Sequence, residues 1–184
     1  CLILFLIIDF LFWKGAGLNN ETAEPKNPNI LVRENSHMTG KFGAKVTVVE
    51  FGDYQCPACA AVSETINRII DLYKNNPDFN FVFRHFPLTQ HKNAIPAAEA
   101  AEAAGAQNLP GQNKYFEMET MLYKNQARWS ESDDPMPEFL KYAEQLKLDI
   151  PRFTKDIEGH KFTSVIQADA LDGQSLLVNH TPTI

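Results

Sequence analysis

Cysteine is scarce in this chain, with three in 184 residues, and so few cannot build a disulfide-stapled scaffold. Lysine and arginine form no cluster, and 17 basic against 23 acidic residues leave a net charge of −6. The phosphate-neutralising footprint of a nucleic-acid binder is therefore missing. The apolar run Leu2 to Trp13, interrupted by Asp9, falls short of the roughly 20 residues that a membrane-spanning helix needs. Internal repeats and low-complexity tracts are also lacking. What is present, 44% hydrophobic and 22% charged residues, suits a globular domain with a real core.

The apolar start and the absence of an initiator methionine lead us to expect missing upstream residues. Residues 1–18 are expected to be the end of a signal peptide or membrane anchor, with Gly15-Ala16-Gly17 as a candidate cleavage site. Cys1 precedes the apolar run, the reverse of a lipoprotein arrangement, and is expected to be incidental. Residues 19–40, with Pro25, Pro28 and scattered charges but no periodicity, read as a linker. The folded domain is expected over 41–184.

Val46-Thr47-Val48-Val49-Glu50-Phe51 reads as a strand. After a short turn come Cys56-Pro57-Ala58-Cys59, and then Val62, Ile66, Ile69, Ile70 and Tyr73 recur at helical spacing. Proline is tolerated at the first helical position, where its missing N–H costs nothing, so Cys56 falls at the N-cap. A thiol there meets unpaired backbone N–H groups and the positive end of the helix dipole, which favour the thiolate and make Cys56 the candidate nucleophile. Cys59, one turn inside, is the candidate resolving thiol. Glu50 interrupts an apolar strand six residues before Cys56; a buried acid there has its charged form disfavoured and can store a proton.

Phe79 to Phe86 is a second strand, closed by Pro87. Residues 91–172 then switch to helical patterns and are expected as a helical insertion in an α/β fold. Within it we expect helices over Ala94 to Ala106, around Tyr115, Met118 and Leu122, after Asp134-Pro135, after Asp149-Ile150-Pro151, and through Phe162 to Ala170. Trp129 and the aromatic positions are expected in the core. His85 and His91 could complete a four-ligand zinc site with the cysteines, but zinc spacing patterns do not place a cysteine pair at the opening of a long helix. A metal-free reading is preferred.

Glu50-Phe51-Gly52-Asp53-Tyr54-Gln55-Cys56-Pro57-Ala58-Cys59 resembles the active-site segment of DsbA-like thioredoxin-fold oxidoreductases. Phe83-Arg84-His85-Phe86-Pro87-Leu88, the run Ala97 to Ala106, Lys114 to Met118 and Thr181-Pro182-Thr183 extend the likeness over 41–184. The resemblance implies a thioredoxin-like α/β fold with an inserted helical domain. It also implies Glu50 as proton relay to the second cysteine, Pro57 and Ala58 as the dipeptide between the redox sulfurs, and Pro182 as a cis-proline. Thr181-Pro182, with His180 where the family commonly has glycine, would then form the substrate platform. Two further strands and a helix of that family are expected beyond Ile184.

The resulting expectation is an extracytoplasmic thiol:disulfide oxidoreductase that oxidises cysteine pairs of exported proteins. It would be reset by a membrane redox partner, with no dissociable cofactor and no nucleic-acid partner, and its N-terminus would be exported or held in the membrane. A reductase or isomerase on the same fold, a structural zinc module and a peptide-holding module are the alternatives.

Overall fold

A computed structural model describes residues 30–184; the expected signal or anchor segment, Cys1 and linker residues 19–29 lie outside the described residues. The elements are β1 (His37–Met38), β2 (Val46–Gly52), α1 (Pro57–Tyr73), β3 (Phe79–His85), α2 (Ala94–Gly105), α3 (Lys114–Lys124), α4 (Gln126–Trp129), α5 (Met136–Gln145), α6 (Ile150–Glu158) and α7 (Thr163–Ser175). This is an α/β thioredoxin-like fold in which helices α2 to α7 intervene before the chain returns to the sheet at Thr183. Among the described residues no helix is long and apolar enough to cross a membrane.

The sheet has the order β1-β3-β2. β2 and β3 run parallel from Val46↔Phe79 to Gly52↔His85, with α1 as the crossover that parallel strands require. β3 is buried along its whole length, as a central strand covered on both faces should be. β2 is different: its first four residues are exposed or half-buried and only Glu50 to Gly52 are enclosed, so the strand is covered only at its C-terminal end. There the strands sit against aromatic rings. A Cβ on Gly52 would lie 2.5 Å from the Phe83 ring, which is why glycine occupies the turn leading to the cysteines.

Residues 30–40 differ from the expected linker because their polar and aromatic groups find partners on the fold. β1 pairs antiparallel with β3, His37↔Phe83 and Met38↔Val82. The His37 ring stacks on Tyr115 at 3.6 Å between centroids. The fully buried Arg84 donates to the carbonyls of Ile30 and Leu31 at 2.5 and 2.9 Å and to Asp169 and Asp172 on α7 at 2.8 and 2.6 Å. One guanidinium thus joins β3, α7 and the incoming chain through four hydrogen bonds.

The helical layer grows from α2, whose alanines Ala97, Ala98, Ala100, Ala101, Ala103 and Ala104 are all buried. Small side chains on several faces let α3, α6 and α7 approach a helix with no exposed stripe. Two acids on α2 are also buried and both are used. Glu99 accepts from Phe162 N at 3.1 Å and Thr163 Oγ1 at 2.5 Å at the start of α7, and Glu102 meets His37 and His85. α6 begins where the sequence indicates, with Asp149 accepting from Arg152 N, an N-cap of the ordinary kind. α5 starts at Met136, one residue after the proline expected to open it.

Candidate active site

The turn between β2 and α1 is held by one carboxylate. Asp53, buried, accepts from Gln55 N at 2.7 Å and Leu88 N at 2.8 Å, and shares a hydrogen bond of 2.7 Å with His91 Nδ1. Its own carbonyl accepts from Cys56 N at 3.0 Å. From the other side Gln126 Nε2, on α4, donates to the carbonyls of Tyr54 and Cys56 at 2.7 and 3.0 Å. The loop that precedes the cysteines is therefore fixed from both the sheet and the helical layer before any substrate arrives.

Cys56 is the N-cap of α1 with extended backbone (φ −71°, ψ 121°), and Pro57 opens the helix. Both cysteines are free thiols and buried. They differ in depth: Cys56 keeps 6% of its surface and Cys59 none. Pro57 and Ala58 between them are exposed. The Cys56 thiol donates to the Thr181 carbonyl across 3.4 Å. Burial pushes the Cys59 thiol up to about 12, so it cannot act as a nucleophile at neutral pH unless a neighbour takes its proton.

One buried acid acts on that thiol through its charge. Glu50, 2% exposed on β2, has an Oε1 with no hydrogen-bond partner, and burial raises its carboxyl to about 7. A base is most useful when its pKa lies near the working pH, and the charge of Glu50 is felt at Cys59.

Thr181-Pro182 closes the site. The bond between them is cis, and Thr183 pairs with Phe51 in an antiparallel bridge, Phe51 N to Thr183 O at 2.8 Å and Thr183 N to Phe51 O at 3.1 Å. Thr181 is buried with its hydroxyl unpartnered. His180 is exposed, its carbonyl accepting from Thr183 Oγ1 at 2.8 Å. Beside it a groove of about 400 Å³ is lined by Phe86, Pro87, Leu88, Gln174, His180 and Thr181 among others. An extended peptide placed there could pair along the backbone beside Thr181 while presenting a cysteine to Cys56.

The two histidines considered as metal ligands are otherwise engaged. His85 Nε2 lies 2.9 Å from Glu102 Oε1, and His91 is held by Asp53. Hydrogen bonds from His37 and His85 outweigh the cost of burying Glu102 and hold its carboxyl at about 2. No group of three or more potential ligands is arranged around a metal position among the described residues.

The sequence alone does not single out Asp53, Gln126 or Glu102. Asp53 could have been suspected from its place in the turn before the cysteines. The others sit in helices among ordinary polar residues and carry no local signal.

A family model described as thioredoxin matches residues 33–184. The Na⁺/H⁺ antiporter NhaA 1 of Mycobacterium sp. (strain KMS) is 34% identical over 153 residues, covering 82% of this chain and 23% of the antiporter. The chain thus spans less than a quarter of the length of that curated relative. A probable disulfide bond formation protein D of Bacillus cereus is 29% identical over 150 residues, 79% of this chain and 67% of that protein. Among solved structures, α-DsbA1 of Wolbachia pipientis superposes with a TM-score of 0.70 at 20% identity, covering 83% of this chain and 74% of that one. A thioredoxin-like oxidoreductase of Silicibacter pomeroyi superposes with 0.66 at 28% identity, covering 85% and 83%.

Proposed function

The chain belongs to the thioredoxin family, and from that premise we propose that it is a DsbA-like thiol:disulfide oxidoreductase whose Cys56–Cys59 pair oxidises cysteine pairs of exported proteins. The observation that carries the reading is the unequal setting of the two thiols. Cys56 stands at a helix N-terminus next to the Thr181 carbonyl, while Cys59 is fully enclosed behind it within the electrostatic reach of Glu50.

In the oxidising direction a substrate thiolate attacks Cys56 Sγ of the disulfide, and the Cys56–Cys59 bond breaks. Cys59 leaves with the electron pair and takes the proton that Glu50 holds. A second substrate thiolate then displaces Cys56, and the substrate departs as a disulfide with two electrons left on the protein. A membrane redox partner would remove them, outside the cytoplasm. Thr181, Pro182 and His180 line the place where the substrate chain would lie, and Pro57 and Ala58 are exposed beside the reacting sulfur. The pair itself carries the electrons, so no dissociable cofactor enters the reaction. The domain would sit outside the membrane, with the folded unit over 41–184 extended toward its N-terminus by the paired residues from 30 onward. The stretch matched in the curated antiporters supports work near a membrane; ion exchange itself is no part of the reading.

Two measurements test it. The oxidised protein should convert a reduced, unfolded substrate to its disulfide form catalytically when supplied with an oxidant. Equilibration with glutathione should give a reduction potential nearer the strongly oxidising end, about −120 mV, than the thioredoxin end, about −270 mV. A potential at the thioredoxin end would make the protein a reductase, and no exchange by the wild-type protein would overturn the enzyme reading.

A further inference from the structure

The Asp53 carboxylate serves two segments of the chain at once. Its side chain is fully buried, and its two oxygens face different loops. Oδ1 accepts from Gln55 N at 2.7 Å, in the turn that leads to Cys56. Oδ2 accepts from Leu88 N at 2.8 Å and from His91 Nδ1 at 2.7 Å, in the loop between β3 and α2. That loop is a turn of its own, closed by His91 N on the Leu88 carbonyl at 3.0 Å, and the His91 carbonyl accepts from Ala94 N at 3.3 Å where α2 begins. The groove of about 400 Å³ is lined by Leu88, Thr89 and Gln90 of the same loop and by His180 and Thr181 of the cis-proline segment. One rigid carboxylate therefore joins a wall of the groove to the turn that carries the nucleophile, and His91 supplies the one side-chain donor that it meets among the described residues.

We propose, on the exchange reading above, that His91 is a positioning residue for substrate binding: by fixing the Asp53 carboxylate it holds the groove wall at Leu88 and the cysteine turn at Gln55 in one register, so that an extended chain lying in the groove presents its cysteine to Cys56. A buried carboxylate needs donors on both oxygens, and hydrogen bonds to a charged group are the strong ones. Without the imidazole, Oδ2 keeps Leu88 N alone, and the loop is free to shift against the turn. The carbonyl of the same Asp53 accepts from Cys56 N at 3.0 Å, so a displaced loop reaches the nucleophile through a single residue. His91 and Asp53 are 38 residues apart in sequence, and their bond ties together two loops that the chain itself does not connect. The His91 ring nitrogen bonds to the carboxylate, while the Cys56 thiol bonds to the Thr181 carbonyl. The imidazole thus acts on where the substrate lies and not on the exchange of sulfur bonds. A wall set in place before the chain arrives spares the ordering cost that binding would otherwise carry.

The test is the steady-state oxidation of an extended synthetic peptide carrying one cysteine pair, with glutathione disulfide as the oxidant. His91 keeps 19% of its side-chain surface, so its truncation opens no enclosed cavity. His91→Ala should raise KM about tenfold, the loss of one charge-assisted hydrogen bond, and keep kcat within about twofold, the pattern of lost binding and not of lost chemistry. His91→Asn, whose amide N–H stands in for Nδ1–H, should restore KM. An unchanged KM, a kcat that falls as far as KM rises, or no rescue by asparagine overturns the proposal. A second measurement needs only the wild-type protein and no sulfur exchange. The same peptide with serine at both cysteine positions should slow amide hydrogen exchange at Leu88 and at Gln55 together, because both amides donate to Asp53. Slowing at Leu88 alone, or at neither, overturns the proposal. If wild type oxidises no peptide, the enzyme reading fails, and the amide pattern still decides the proposal: joint slowing upholds it, anything less strikes it.

Discussion

At the scale of single residues, the site keeps an acid where an apolar side chain would be more stable. Glu50 has its carboxyl raised from 4.5 to about 7 by burial. Between those values the native state binds the proton that the unfolded chain releases, so this group subtracts stability progressively as pH rises from 4.5 to 7 and subtracts its full share above. Glu50→Gln should therefore raise the melting temperature at pH 8 and change it little at pH 4. The gain at pH 8 is expected to reach up to about 3 kcal/mol, at roughly 1.36 kcal/mol for each pH unit between 4.5 and about 7. Thermal melts of both proteins across pH check this, and a gain that does not grow with pH would mean that Glu50 is not held neutral by burial. Such stored cost is expected where function needs a tuned group.

At the scale of elements, the short helix α4 is tied to the cysteine turn at both ends, by Gln126 at its start and by Gln55 Nε2 donating to the Ser130 carbonyl at 2.6 Å at its end. Gln126 bridges the Tyr54 and Cys56 carbonyls, and Asn93 donates to the carbonyls of Trp129, Ser130 and Ser132 at 2.8 to 3.0 Å, holding the same corner. Gln126→Ala removes two hydrogen bonds to buried carbonyls and should cost about 1–3 kcal/mol. Faster amide exchange should follow at Tyr54 to Cys59, with exchange in α6 unchanged. Uniform acceleration across the protein would show that Gln126 supports the whole fold and not the turn. This is also where sequence legibility ends. The strand, the cysteine pair with its N1 proline, the Asp149 cap and the alanine helix are local signals, written in spacing and residue type. The partners of Gln126 and Glu102 depend on which elements face which, and a polar residue in a helix looks the same whether it meets water or a buried carbonyl. β1 escaped notice for a similar reason. Two residues have no periodicity, and only their pairing with β3 makes them a strand.

At the scale of the whole molecule, the chemistry sits where distant parts of the chain converge. Cys56 and Thr181 are 125 residues apart in sequence and in contact, while the helices between them pack beside the sheet and supply Gln126. Arg84 secures that arrangement by binding α7, which leads into the Thr181 segment, to the central strand. The arrangement assigns unequal roles to two chemically identical side chains, and trapping reads those roles directly. A chain lacking the resolver should stall after Cys56 has bonded to a substrate sulfur. Cys59→Ala, expressed in an oxidising compartment, should accumulate mixed disulfides with exported proteins through Cys56, visible as high-mass bands that vanish on reduction. Cys56→Ala should give few or none, because Cys59 is enclosed and its thiol is held protonated. Ready trapping by Cys56→Ala with none by Cys59→Ala would reverse the roles, and trapping by neither would contradict the exchange mechanism itself.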